Sequence, residues 1–113
     1  VKKITEHSGH ELQKLLAESS EPVIAEFFTR SCVKCRHINV LLQEIVCDYS
    51  KNFRVVRLDI EKHPGMAARY EIAAVPTLLF FVNGHTRLRI VGSVAKKDLL
   101  RVIHEDLLAF GES

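Results

Sequence analysis

Val23-Ile24-Ala25-Glu26-Phe27-Phe28-Thr29-Arg30-Ser31-Cys32-Val33-Lys34-Cys35 is the stretch that decides the fold. Its first six residues are apolar apart from Glu26 and lack clean alternation, as expected of a central strand covered on both faces in a parallel sheet. After Thr29-Arg30-Ser31 the period changes. Ile38, Leu41, Leu42, Ile45 and Tyr49 fall on one stripe and predict a helix from about Cys32 to Tyr49. The two cysteines therefore stand where a buried strand ends and a helix begins.

Upstream, Ser8-Gly9-His10-Glu11 reads as a capping box, with Leu12, Leu15 and Leu16 at helical spacing behind it, so a first helix is expected near residues 9–18. Pro22 then breaks the chain. Downstream, Phe53-Arg54-Val55-Val56-Arg57-Leu58-Asp59 is a β-rich run, and Pro64-Gly65-Met66-Ala67-Ala68-Arg69-Tyr70 suits a short helix with Pro in its first turn. Thr77–Val82, the turn dipeptide Asn83-Gly84 and the alternating Arg87–Val91 predict an antiparallel hairpin. Leu99, Val102, Ile103, Leu107 and Phe110 share one face of a C-terminal amphipathic helix. No repeat or linker-like cluster interrupts this order, so residues 1–113 read as a single domain. The alternation gives an α/β class, a central mixed sheet with helices on both faces.

Composition narrows the function. The chain has 113 residues and a formal net charge of +2, with no Trp and 7% aromatic residues. Such a length builds one core. A near-neutral surface poor in aromatics argues against a nucleic-acid partner, and no apolar run is long enough to span a bilayer. Three cysteines are too few for a secreted disulfide scaffold, so the expected compartment is a reducing cytoplasm.

Cys32-Val33-Lys34-Cys35 carries the chemistry. The first sulfur lies beside the unpaired amides of a helix N-terminus, which favour a thiolate. A thiol of pKa ~8.5 is only about 3% ionised at pH 7, whereas a value near ~7 makes about half of it nucleophilic. Two intervening residues keep the sulfurs within disulfide reach, so Cys32 suits the nucleophile and Cys35 the resolving thiol. A C-x-x-C also occurs as half of a zinc site or as two buried thiols. No second C-x-x-C or H-x₃₋₅-H completes a zinc tetrahedron, and His37 points away from Cys35 on a helix, so no metal is expected.

Glu26 is an acid inside an apolar strand, six residues before Cys32. It either reaches water from the strand end or is buried; in the second case desolvation raises its pKa and suits proton transfer near neutrality. Pro76 leads a strand. Base rates make an X-Pro bond trans, while cis bonds are nearly confined to such positions.

Over essentially its whole length the chain resembles thioredoxin. The resemblance rests on Glu26-Phe27-Phe28, Cys32-x-x-Cys35, Asp59…Pro64…Ala67…Tyr70-x-Ile72, Val75-Pro76-Thr77, Asn83-Gly84 and Gly92. It implies a thioredoxin fold and exchange of dithiol for disulfide with protein substrates. Cys32 then attacks, Cys35 resolves and the Val75–Pro76 bond is cis beside the sulfurs. In that arrangement the backbone of Ala74-Val75 pairs with an extended substrate segment, and Val33, Lys34 and Gly92-Ser93 border the groove. The implied partners are disulfide-containing proteins and a thioredoxin reductase drawing electrons from NADPH. The working form is a monomer that binds no cofactor beyond the Cys32–Cys35 disulfide.

Several positions depart from the family pattern. Glu26 stands where Asp is usual and Arg57 where Lys is usual; a guanidinium that stays charged would hold Glu26 ionised and weaken it as an acid. Val33-Lys34 replaces Gly-Pro, Ser31 replaces a Trp, and Val40 replaces a kinking proline. Lys34 should stabilise the thiolate and make the pair more oxidising than a thioredoxin at about −270 mV. Cys47 lies twelve residues beyond Cys35, too far to pair with it, and is expected to have no role. An oxidase or isomerase of the same fold, and a non-catalytic binding or assembly module, are the competing readings.

Overall fold

A computed structural model describes residues 4–49 and 53–108. Its elements run β1 (Thr5–Glu6), α1 (Gly9–Glu18), β2 (Val23–Phe28), α2 (Val33–Tyr49), β3 (Arg54–Asp59), α3 (Pro64–Arg69), β4 (Thr77–Val82), β5 (His85–Val91) and α4 (Lys96–Val102), which continues as a π-helical segment over Ile103–Leu108. The five strands form one sheet in the order β1-β3-β2-β4-β5. β2 and β1 are parallel to β3, while β4 is antiparallel to both β2 and β5, so the sheet is mixed as expected.

Side-chain alternation divides the core into two layers. Ile24, Val55, Leu78, Phe80 and Val82 face Ile38, Leu42, Ile45 and Val46 of α2 and Leu99, Val102, Ile103 and Leu107 at the C-terminal end. Val23, Ala25, Phe27, Val56, Leu58, Leu79 and Phe81 face Leu12 of α1, with Met66 and Tyr70 closing that side. Every residue of β2 is buried, which is why its sequence shows no alternation. Because odd positions of β2 belong to the α1 face, Glu26 points to the α2 face.

Local signals set the boundaries. The Ser8 hydroxyl accepts from the Glu11 amide at 3.1 Å and the Glu11 carboxylate accepts from the Ser8 amide at 2.8 Å, completing the capping box. Asn83 and Gly84 both take positive φ, +52° and +80°, the requirement of a two-residue type I′ hairpin joining Val82 to its partner His85. β5 starts two residues earlier than its alternation predicts, because a bulge between Phe80 and Phe81 absorbs Arg87 and hides the period. β1 has no sequence signature at all: it is two exposed residues that pair with Val56 and Arg57. The C-terminal helix changes to π geometry at Ile103, a change that Leu99, Ile103 and Leu107, spaced by four, accommodate without leaving the core. Phe110 and the side chain of Tyr49 lie outside the described residues.

The sheet register positions the site. Phe27 pairs with Thr77, Phe28 with Asp59, and Thr77 with Val91, so the C-terminal ends of β2, β3 and β5 and the start of β4 share one edge of the domain. The loops carrying Cys32, Pro76 and Gly92 all emerge there.

Candidate functional site

Cys32 is the residue before α2, and the chain reaches it through a tight turn closed by its amide on the Thr29 carbonyl at 3.3 Å. Its carbonyl accepts the first helical bond, from Arg36, at 3.2 Å. Its sulfur accepts from the Cys35 amide at 3.0 Å. Cys32 thus fills the N-cap position, with sulfur where a cap oxygen ordinarily sits, and the Cys35 amide of the first turn faces the atom that must carry charge. Cys32 and Cys35 form a disulfide with their Cα atoms 5.2 Å apart. Cys32 is partly exposed whereas Cys35 is fully buried, so the two sulfurs differ in access, not only in order.

Glu26, on β2 six residues before Cys32, has no exposed surface. The strand-end alternative, a carboxylate reaching water, is thereby excluded. Parallel register sets Arg57 beside it, and Arg57 Nε donates to Glu26 Oε1 at 2.9 Å; among the described residues Glu26 Oε2 has no hydrogen-bond partner. Burial pushes the Glu26 carboxyl above its ordinary 4.5, against the pull of the Arg57 charge and hydrogen bond in the other direction. The guanidinium only partly offsets the desolvation, so the Glu26 pKa stays above its ordinary value. Arg57 in turn lies over the Phe28 ring, 3.7 Å from its centroid, which fixes the plane of the guanidinium.

On the β4 side, the Val75–Pro76 peptide bond is cis. The Thr77 hydroxyl donates to the Ala74 carbonyl at 2.7 Å, and the Gly92 amide donates to the Pro76 carbonyl at 2.8 Å. Gly92 has a φ of +86°, which an L side chain would strain. Ala74 and Ser93 are exposed and Val75 is partly so. Val33 and Val91 are each more than half exposed and give this end an apolar rim.

The structure therefore gathers Cys32, Cys35, Val33, Lys34, Val75, Pro76, Gly92 and Ser93 at one end of the sheet, while Glu26 and Arg57 pair across β2 and β3. Cys47 is exposed and unbridged on α2, apart from that end. Among the described residues no group of three His, Cys, Asp or Glu side chains is arranged to hold a metal ion, and no helix is long and apolar enough to cross a membrane.

Four contributors escaped the sequence reading. Asp59, almost fully buried, accepts from the amides of Glu61 and Lys62 and approaches Arg30 Nε at 3.8 Å, tying the loop before Cys32 to the end of β3. Arg30 also donates to both Glu6 oxygens, at 2.8 and 3.0 Å, which lowers the Glu6 pKa. Arg36 donates to the Arg30 carbonyl at 3.0 Å. Arg89 donates to the carbonyls of Tyr70 and Glu71 at 2.6 and 3.1 Å and so holds the segment that leads to Pro76. The cations around Cys32 were visible as charges in sequence, but the acidic partners of Arg30 lie on β1 and β3.

A paired dithiol capping a helix, next to a cis-proline loop on a mixed sheet, defines the class of thiol–disulfide exchange proteins. Comparison with known proteins agrees. Residues 3–105 match the thioredoxin family. The chain is 32% identical over 107 residues to the chloroplastic M-type thioredoxin of Spinacia oleracea, covering 95% of this chain and 59% of that protein. It is 34% identical over 89 residues to the thioredoxin of Griffithsia pacifica, covering 79% of this chain and 82% of that one. It is 32% identical over 83 residues to the bifunctional thioredoxin reductase/thioredoxin of Mycobacterium leprae, covering 74% of this chain and 18% of that protein. The chain belongs to the thioredoxin family of thiol–disulfide oxidoreductases, and Cys32–Cys35 is its redox pair.

Proposed function

We propose that residues 1–113 act as one domain that reduces disulfides in other proteins. The observation that carries this reading is the unequal access of the two sulfurs: Cys32 partly exposed and served by the Cys35 amide at 3.0 Å, Cys35 fully buried. In the reduced form the Cys32 thiolate attacks one sulfur of a target disulfide; a Cys32–target bond forms, the target S–S bond breaks, and the departing thiolate takes a proton. Cys35 then loses its proton, attacks Cys32 and expels the second target thiolate, closing the Cys32–Cys35 disulfide. Two electrons have passed to the target. Glu26 is assigned the proton transfer that accompanies the Cys35 step, and Arg57 positions its carboxyl through Oε1.

Substrate binding is assigned to Val33, Lys34, Ala74, Val75, Pro76, Gly92 and Ser93. Among the described residues the amide and carbonyl of Val75 have no partner, so they can pair with an extended target segment by main-chain bonds. Recharging requires two electrons from a thioredoxin reductase drawing on NADPH. The fused reductase in the Mycobacterium leprae relative's name supports that partner. A reducing compartment such as the cytoplasm suits a pair that must be returned to the dithiol after each turnover.

Cys35→Ser is the decisive variant. It should accumulate a mixed disulfide between Cys32 and target proteins, reversed by dithiothreitol, while the wild type reduces a protein disulfide with NADPH and a reductase. A wild type that fails to reduce and a variant that traps nothing would transfer support to the binding-module reading.

A further inference from the structure

On the β3 side of β2, opposite the Pro76 loop, a groove of about 390 Å³ opens beside the redox end, its cationic lining being Arg30, Arg36 and Arg57. Phe28 forms part of its wall and Asn39 adds an amide. Among the described residues no acidic side chain lines it: Glu26, Glu6 and Asp59, which pair with Arg57 and Arg30, are not part of its lining.

The three guanidinium groups are held in place before any ligand arrives. Arg57 is stacked at 3.7 Å over Phe28 and commits only its Nε to Glu26, leaving both terminal nitrogens without a partner among the described residues. Arg30 lies 5.4 Å from the centroid of the same ring and is tethered to Glu6. Arg36 donates one terminal nitrogen to the Arg30 carbonyl and makes no ion pair among the described residues. The uncommitted terminal nitrogens of Arg57 and Arg36 suit the two oxygens of a carboxylate, while Arg30, held by Glu6 and Asp59, braces the groove, and part of the ordering entropy of these side chains has already been spent.

Location gives the groove a purpose. Arg30 precedes Cys32 by two residues and Arg36 follows it by four, one helical turn along α2. An extended segment crossing Cys32 has the apolar rim of Val33 and Val91 on one flank and this cationic groove on the other. One helical turn is about 5.4 Å and an extended chain advances about 3.3 Å per residue, so the matching acid lies about two residues from the target cysteine. The whole chain carries only +2, so the attraction is local and not a general steering field.

We propose that this groove docks an acidic side chain of the protein substrate, and that the chain selects disulfides flanked by Asp or Glu. The inference rests on the disulfide-reductase reading and names its substrate class. The test uses a disulfide-looped peptide with Glu two residues from each cysteine and its Gln counterpart, together with labelled linear versions carrying Ser in place of Cys. Exposed charge-assisted contacts of this kind give roughly a threefold to tenfold preference for the Glu peptide, in both binding anisotropy and kcat/KM. Arg36→Gln and Arg30→Gln should each draw that ratio toward one, as should high salt, whereas Arg69→Gln, which removes the same charge from exposed α3, should keep it. Equal binding of the Glu and Gln peptides, or a preference that survives Arg36→Gln, overturns the proposal. So does saturation of the groove by inorganic phosphate without competition from the Glu peptide, which would make it a site for free anions. Anisotropy and turnover separate the two levels: retained acidic preference with no reduction of either peptide refutes the reductase reading alone, and equal reduction with equal binding refutes the groove alone.

Discussion

Replacing Glu26 by Gln should stabilise the protein at neutral and alkaline pH. The carboxyl group is fully buried, one oxygen accepts from Arg57 at 2.9 Å, and the other has no partner among the described residues. Gln keeps the size and an acceptor for Arg57 but removes the acceptor's charge from a bond whose guanidinium donor stays cationic, a loss of about 1 kcal/mol. Removing the charge from an unpartnered buried oxygen returns about 1–3 kcal/mol. The balance favours Gln by about 1 kcal/mol, and the direction agrees with burial outweighing Arg57 in setting the Glu26 pKa above 4.5. The pH dependence follows from the same shift. Between 4.5 and the raised folded value the folded state binds the proton more tightly than the unfolded state, so the carboxyl's contribution to stability falls as pH rises through that window. Glu6 and Glu11, whose pKa values are lowered, contribute stability that is lost toward acid in both proteins and cancels in the difference. Urea unfolding of the oxidised wild type and Glu26→Gln at pH 4 and pH 8, followed by far-UV circular dichroism, measures that difference. A variant less stable than wild type at pH 8, or a gap that closes as pH rises, would refute the reasoning. In stopped-flow exchange the same substitution should slow resolution by Cys35 more than attack by Cys32; equal slowing removes Glu26 from proton transfer.

Two further outcomes follow from the site. Arg89→Ala removes both hydrogen bonds to the Tyr70 and Glu71 carbonyls, where Glu71 sits at a φ of +55°, and frees the segment leading to Pro76. KM for a protein disulfide should rise severalfold with kcat little changed and exchange with a small disulfide unaffected; an unchanged KM would mean that the clamp does not order the binding loop. Lys34, exposed beside the pair, should make the Cys32–Cys35 couple more oxidising than a thioredoxin at about −270 mV by about 7–20 mV from charge alone. A glutathione titration in which Lys34→Gln leaves the potential unchanged or raises it would contradict this.

Much of the fold was legible because its signals are short-range. The capping box at Ser8 and Glu11, the positive-φ pair Asn83-Gly84, the unalternating β2 run and the stripe of α2 each depend on residues a few positions apart. β1 was invisible since two exposed residues have no pattern of their own and become a strand only by pairing with Val56 and Arg57. The early start of β5 was obscured by the bulge at Phe80 and Phe81, which shifts the alternation by one. Cys32, Cys35 and Pro76 could be named as candidates from motif and resemblance, whereas Arg30, Arg36 and Arg89 appeared as ordinary surface cations.

By itself the sequence determined that a dithiol caps a helix directly after a buried strand, for this needs only the contiguous run from Val23 to Cys35. Only the tertiary structure decided what surrounds that dithiol. Glu26 and Arg57 are 31 residues apart and became an ion pair through the parallel register of β2 and β3. Whether Glu26 faced water or the α2 layer, and whether Arg57 joined Arg30 and Arg36 along one groove, depended on that same register. The reason is physical: backbone conformation responds to near neighbours, but desolvation and charge act through space, across strands that the chain brings together only when the sheet is complete.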